Sequence, residues 1–146
     1  MKFFNARVWL LIFGALALIG GIGNAVTAET VATDSWGEID GRLLDVATSL
    51  EIVWGIHLSV WGASVIVISV LLNGASRARF GAVSVIAVLL SQIIAALSIG
   101  NLGYGEGGSP PVLFLLIVPV TAAITLVACI REWNGKKELL SGDTSV

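Results

Sequence analysis

The sequence predicts an all-α integral membrane protein, a four-helix bundle running up-down-up-down. Three observations predict it. The chain of 146 residues is 56% hydrophobic and only 12% charged, whereas soluble domains carry roughly 25% charged residues. Four apolar stretches each approach the about 20 residues that cross a hydrocarbon core. Seven of the eight basic residues fall on one side of the resulting map, with only Arg42 opposite.

The first span is expected over about residues 8–28. No charge interrupts it, and Lys2 and Arg7 precede it. A basic start, an apolar run and Val26-Thr27-Ala28 also resemble a cleavable signal peptide. The run from Val8 to Gly23 is long for that role, so a retained helix is expected.

Residues 29–51 form an acidic outer loop. Between Glu29 and Asp45 stand Glu29, Asp34, Glu38, Asp40 and Asp45 against Arg42 alone. Ser35-Trp36-Gly37-Glu38 has the spacing of a capping box, in which the serine oxygen takes an early amide and the glutamate reaches back. Trp36, Ile39, Leu43, Val46, Leu50 and Val53 then follow at steps of three and four. That spacing draws one apolar stripe on a helix. The loop is therefore read as partly helical, lying on the outer surface or continuing straight into the second span. Gly37 and Gly41 weaken it, by about 1 kcal/mol each against alanine.

The second span is expected over about 52–72 and the third over about 80–100. Asn73 to Arg79 reads as a short turn between them, carrying Arg77 and Arg79. The glycine-rich stretch from Asn101 to Ser109 reads as a loop. Ser109, Pro110 and Pro111 suit the start of the fourth span, because proline in a first turn lacks only an amide that would be unpaired anyway. That span covers about 112–130 and contains Pro119. The tail, 131–146, begins with Arg131, Lys136 and Lys137.

The basic residues set the orientation. Lys and Arg near span ends stay cytoplasmic, so both termini are placed inside, in a cell membrane. Trp9 and Trp133 then fall at the inner interface and Trp36 and Trp54 near the outer one, where amphipathic rings settle. Gly21-Ile22-Gly23-Asn24 and Ser98-Ile99-Gly100-Asn101 form a faint echo at the ends of the first and third spans, as a parallel internal repeat would.

Lipid gives no hydrophobic reward for helix association, so close backbone approach must supply it. Small residues recur at four-residue steps: Ala17, Gly21 and Ala25; Gly55, Ser59 and Ala63; Ser91 and Ala95. These rows predict flat packing faces.

Chemistry is sparse. One cysteine, Cys129, and one histidine, His57, leave too few soft ligands for a zinc or haem site in one chain. No nucleophile motif or phosphate-cradling loop is present. No cofactor and no nucleic-acid partner are expected, and no enzymatic activity.

One constellation stands out. Trp54, His57 and Trp61 share a helix face through offsets of three and four. Glu51 lies six residues before His57, about 120° round the helix. His57 and Gln92 fall about two turns below the outer ends of their spans, and Asn24 about one turn below its own. Glu51, Trp54, His57, Trp61, Gln92 and Asn24 thus form a candidate polar site for a proton or ligand in the outer half of the membrane. Ionisable residues inside a membrane mark function by default. The competing reading is glue, because interhelical hydrogen bonds of this kind fix register at about 0.6 kcal/mol each.

Two functions follow. The first is a non-catalytic accessory or assembly subunit, embedded in lipid and packing against itself or another membrane protein. The alternative is a small oligomeric transporter or channel built on the polar site.

Overall fold

A computed structural model describes residues 4–101 and 112–134. Among these residues five helices follow in order: α1 (Ala6–Val26), α2 (Ala28–Trp36), α3 (Gly41–Leu71), α4 (Gly74–Asn101) and α5 (Val112–Glu132). No strand occurs among the described residues. Among the described residues three stretches are long and apolar enough to cross a membrane: Ala6–Val26, Gly41–Leu71 and Gly74–Ala95.

Several boundaries differ from the sequence reading. α1 starts two residues early because the Asn5 side chain caps it, accepting from the amides of Arg7 and Val8. The acidic segment is mostly helix. α2 follows α1 after Thr27 alone, and it stops where Gly37 takes φ 78°, a left-handed conformation that side-chain-bearing residues avoid. Ser35 lies inside the last turn of α2, so the expected capping box caps nothing. From Leu43 on, the amphipathic stripe and the second span are one continuous helix, α3, of 31 residues, whereas Trp36 ends α2 and Ile39 lies between the two helices. At 1.5 Å per residue α3 is about 46 Å long. α4 already begins at Gly74, so the expected turn over Asn73–Arg79 shrinks to Leu72 and Asn73. Arg77 and Arg79 therefore sit on the first turns of a helix. α5 continues through Arg131 and Glu132. The expected loop after Asn101, its Ser109–Pro110–Pro111 start signal and the tail beyond Asn134 lie outside the described residues.

α1 is the central element and touches all four other helices. Its tightest partner is α3. Four glycines explain why. A Cβ built on Gly21 would lie 2.5 Å from the Gly55 carbonyl oxygen, and one on Gly62 would lie 2.5 Å from the Leu18 nitrogen. Gly14 faces Gly62 in the same way. The pairs Gly14–Gly21 and Gly55–Gly62 are each seven residues apart, so the two antiparallel helices meet on a seven-residue repeat. Such backbone proximity is what holds apolar helices together where no hydrophobic reward exists. The four-residue rows expected from sequence are partly in this seam: Gly21, Ala25, Gly55 and Ser59 meet there. Gly14 and Gly62 were not in those rows.

The shared core lies toward one end, here termed the base. It contains Ala6, Leu10, Phe13, Val65, Ala78, Ala82, Val85, Ala122 and Cys129. The start of α1, the α3–α4 turn and the end of α5 gather there. Trp61 packs edge-on against Phe13, with ring centroids 5.4 Å apart. Away from the base the packing thins. Leu90, Ile93, Ile94 and Leu97 of α4 are exposed, and so are all residues from Leu116 to Val120 of α5. Among the described residues no Cα atoms of α3 and α5 come within 8 Å of each other.

Candidate functional site

The seam places Asn24 and Glu51. Asn24 lies three residues beyond Gly21 and Glu51 four residues before Gly55, so both follow the packed stripe toward the far end. There the Asn24 amide donates to the Glu51 backbone carbonyl at 2.9 Å and to its carboxylate Oε2 at 3.1 Å. The Trp36 indole N–H donates to the other carboxylate oxygen at 3.4 Å. Glu51 thus ties the end of α1 and the end of α2 to α3. Chain direction explains the arrangement: α2 folds back along the first turns of α3, burying Ala28, Ala32 and Ala47.

The remaining predicted residues are elsewhere. His57 is exposed, and its Nδ1 lies 2.9 Å from the Val53 carbonyl oxygen, one turn back on its own helix. In the neutral ring this contact puts the proton on Nδ1 and leaves Nε2 as an acceptor. Trp54 is exposed and Trp61 half-buried against Phe13. Gln92 is half-buried on α4. Of the six residues, the structure therefore joins Asn24 and Glu51 directly. The physical reason is the glycine face. His57 is two residues past Gly55, about 200° around the helix. Once Gly55 meets α1, His57 must point away from it.

Trp36 was read from sequence as an interface residue, and its bond to Glu51 was missed. A second polar cluster at the base was missed altogether. There Glu132 Oε1 accepts from the Ala6 amide at 3.0 Å, and Oε2 lies 3.8 Å from the Arg77 guanidinium. Arg77 also donates to the Leu72 carbonyl at 3.4 Å. Arg79 donates to the Trp133 carbonyl at 3.1 Å and stacks over its ring. Arg131 lies over Phe4. An acidic residue beside a run of arginines at the span ends was the available signal.

Chemically, both clusters are fasteners. The Glu51 and Glu132 carboxylates accept their hydrogen bonds from other helices. No group of three or more histidine, cysteine or acidic residues that could hold a metal occurs among the described residues. No protein-family model, curated protein or solved structure matches this chain.

The outer fastener makes a prediction. Glu51→Ala removes the carboxylate bonds to Asn24 and Trp36 but leaves the backbone carbonyl bond. At about 1 kcal/mol per net hydrogen bond, amides of α2 are expected to exchange with deuterium about five- to tenfold faster, while those of α4 and α5 keep their rates. Unchanged α2 exchange would show that the carboxylate does not hold α2.

Proposed function

We propose that the chain crosses the membrane four times, through α1, α3, α4 and α5, as an up-down-up-down bundle with both termini cytoplasmic. We propose further that it is a non-catalytic accessory or assembly protein acting by association within the bilayer. The orientation is supported by Arg7, Arg77, Arg79 and Arg131, which lie at the base, where basic flanks mark the cytoplasmic side.

The observation that carries the functional reading is the exposure of His57. It is 14 residues before Leu71, the basal end of α3, or about 21 Å along the helix. That depth lies within a hydrocarbon core about 30 Å thick. An ionisable ring facing acyl chains is unfavourable, and such residues ordinarily turn to an interior or a partner. Here the interior side of α3 is occupied by α1. A partner is what remains. The transporter reading drew on one pocket shared by Glu51, His57 and Gln92; with Glu51 bonded to α1 and α2 and His57 facing outward, it has less support.

Native mass spectrometry from lipid nanodiscs tests the proposal. The protein is expected as a defined oligomer or with a bound membrane protein. In pH-gradient liposomes it is expected to leave the gradient intact. A partnerless monomer across several lipid compositions would remove the association reading, and a dissipated gradient would restore the transporter.

A further inference from the structure

α3 carries a second stripe on the side opposite the glycine face. Leu43, Val46, Leu50, Val53, His57, Val60, Ser64, Val67 and Leu71 follow at alternating steps of three and four. All nine are exposed; Val60 is 62% and Leu71 70% accessible. In heptad terms, Leu43, Leu50, His57, Ser64 and Leu71 occupy one core row, and Val46, Val53, Val60 and Val67 the other. Sustained 4–3 spacing of this kind is the pattern of a coiled-coil seam. Gly55, Gly62 and Ser69, which face inward, fall on the position opposite it.

We propose that this stripe is the surface along which a second copy of the chain packs, α3 against α3 in parallel. The proposal rests on the reading that the protein acts by association in the membrane, and it names the partner.

Three observations favour a second copy over lipid or an unrelated protein. Copies of one sequence insert with one orientation, since the same basic flanks direct each. A stripe on one copy therefore meets the same stripe in parallel and in register, as a two-fold interface requires. Next, α3 is longer than the bilayer. Leu43 and Val46 lie about 42 and 38 Å from Leu71, beyond a core of about 30 Å. Acyl chains cannot cover them, yet they continue the same stripe. Finally, His57 and Ser64 interrupt the apolar rows at core positions. Polar residues at such positions fix register between helices. In a parallel pair each would meet its own equivalent; both outward His57 Nε2 atoms are acceptors, so a bridging water or one shared proton joins them. Trp54 and Trp61 flank that row.

Cysteine scanning in membranes tests this. Cys129 is the chain's only thiol and is buried, so a Cys129→Ala background is silent. On it, Val53→Cys, Val60→Cys and Val67→Cys are placed in the seam. Ile19→Cys, Val83→Cys and Ile86→Cys are exposed controls on α1 and α4. The six positions changed to cysteine are exposed, and the Cys129→Ala background is the common reference for all of them. Mild oxidation is expected to give at least fivefold more covalent dimer at the three seam positions. Equal crosslinking on all faces, or none in the seam, would overturn the proposal. Native mass spectrometry of the cysteine-free chain separates the two failures. An oligomer or a complex with another protein, without seam crosslinks, overturns the seam alone. A partnerless monomer overturns both the seam and the association reading.

Discussion

Gly62→Leu is expected to separate α1 from α3 and to destabilise the fold by about 3 kcal/mol, the upper range for overpacking a close contact. Even the single carbon of Gly62→Ala would lie 2.5 Å from the Leu18 nitrogen and 2.7 Å from the Gly14 carbonyl oxygen. Those are backbone atoms on the facing helix, so no side chain can rotate away; the helices themselves must part. Gly21→Ala and Gly55→Ala meet backbone atoms at 2.5 Å as well. The controls lie on α1, the helix of Gly21. Added Cβ atoms at Gly20 and Gly23 meet nothing within 4 Å, so alanine there is expected to be neutral or to stabilise by up to about 1 kcal/mol through helix propensity. Equilibrium unfolding in mixed micelles reads both signs. Equal effects at Gly20 and Gly21 would show that α1 and α3 do not meet on this face.

That seam also explains what the sequence revealed and what it hid. Helix existence was legible, because uninterrupted apolar runs and basic flanks are one-dimensional signals. The Leu43–Val53 stripe was legible too, although its exposure was not. Facing was harder. His57 drew attention as the only histidine, and depth along the helix placed it level with Glu51, Asn24 and Gln92. Depth carries no azimuth. The azimuth was encoded in the seven-residue spacing of Gly14 and Gly21 and of Gly55 and Gly62, which four-residue rows of small residues obscured. Read as heptads, those glycines place Asn24 and Glu51 on the packed stripe and His57 behind it. The helix starts were misread for another reason. Ser35-Trp36-Gly37-Glu38 satisfies the capping pattern, but α2 already continues through Ser35, and tertiary packing of Ala28 and Ala32 against α3 decides that segment. Asn73–Arg79 contains Gly and Asn, ordinary turn signals, yet only Leu72 and Asn73 are needed to reverse the chain. The rest becomes helix because Ala78 and Ala82 are buried in the core.

Glu132→Ala is expected to be the most damaging change at the base, at about 3 kcal/mol, the lower end for breaking a buried pair, because it leaves the mostly buried Arg77 uncompensated. The Arg77 side chain is only 13% exposed, and its buried Nε has no partner among the described residues. Without Glu132 its guanidinium keeps, among the described residues, the Leu72 carbonyl. The Ala6 amide, on a residue with no exposure, also loses its acceptor. A carboxylate at the last turn of its own helix is unfavourable to that helix's dipole, whereas beside the first turn of another it is favourable. Glu132 ends α5 and accepts from the first amide of α1, so its position makes sense as a cap for α1 rather than a feature of α5. Three variants separate these terms in the same unfolding measurement. Glu132→Gln keeps an acceptor for Ala6 but no charge for Arg77, and is expected to fall between wild type and Glu132→Ala. Arg77→Met combined with Glu132→Leu removes both charges, so it is expected to recover much of the loss, as paired replacements of buried ions do; the Ala6 amide remains its residual cost. If Glu132→Ala unfolds within about 0.5 kcal/mol of wild type, the range of an ordinary surface substitution, then the base is held by its apolar core alone and the ion pair is incidental.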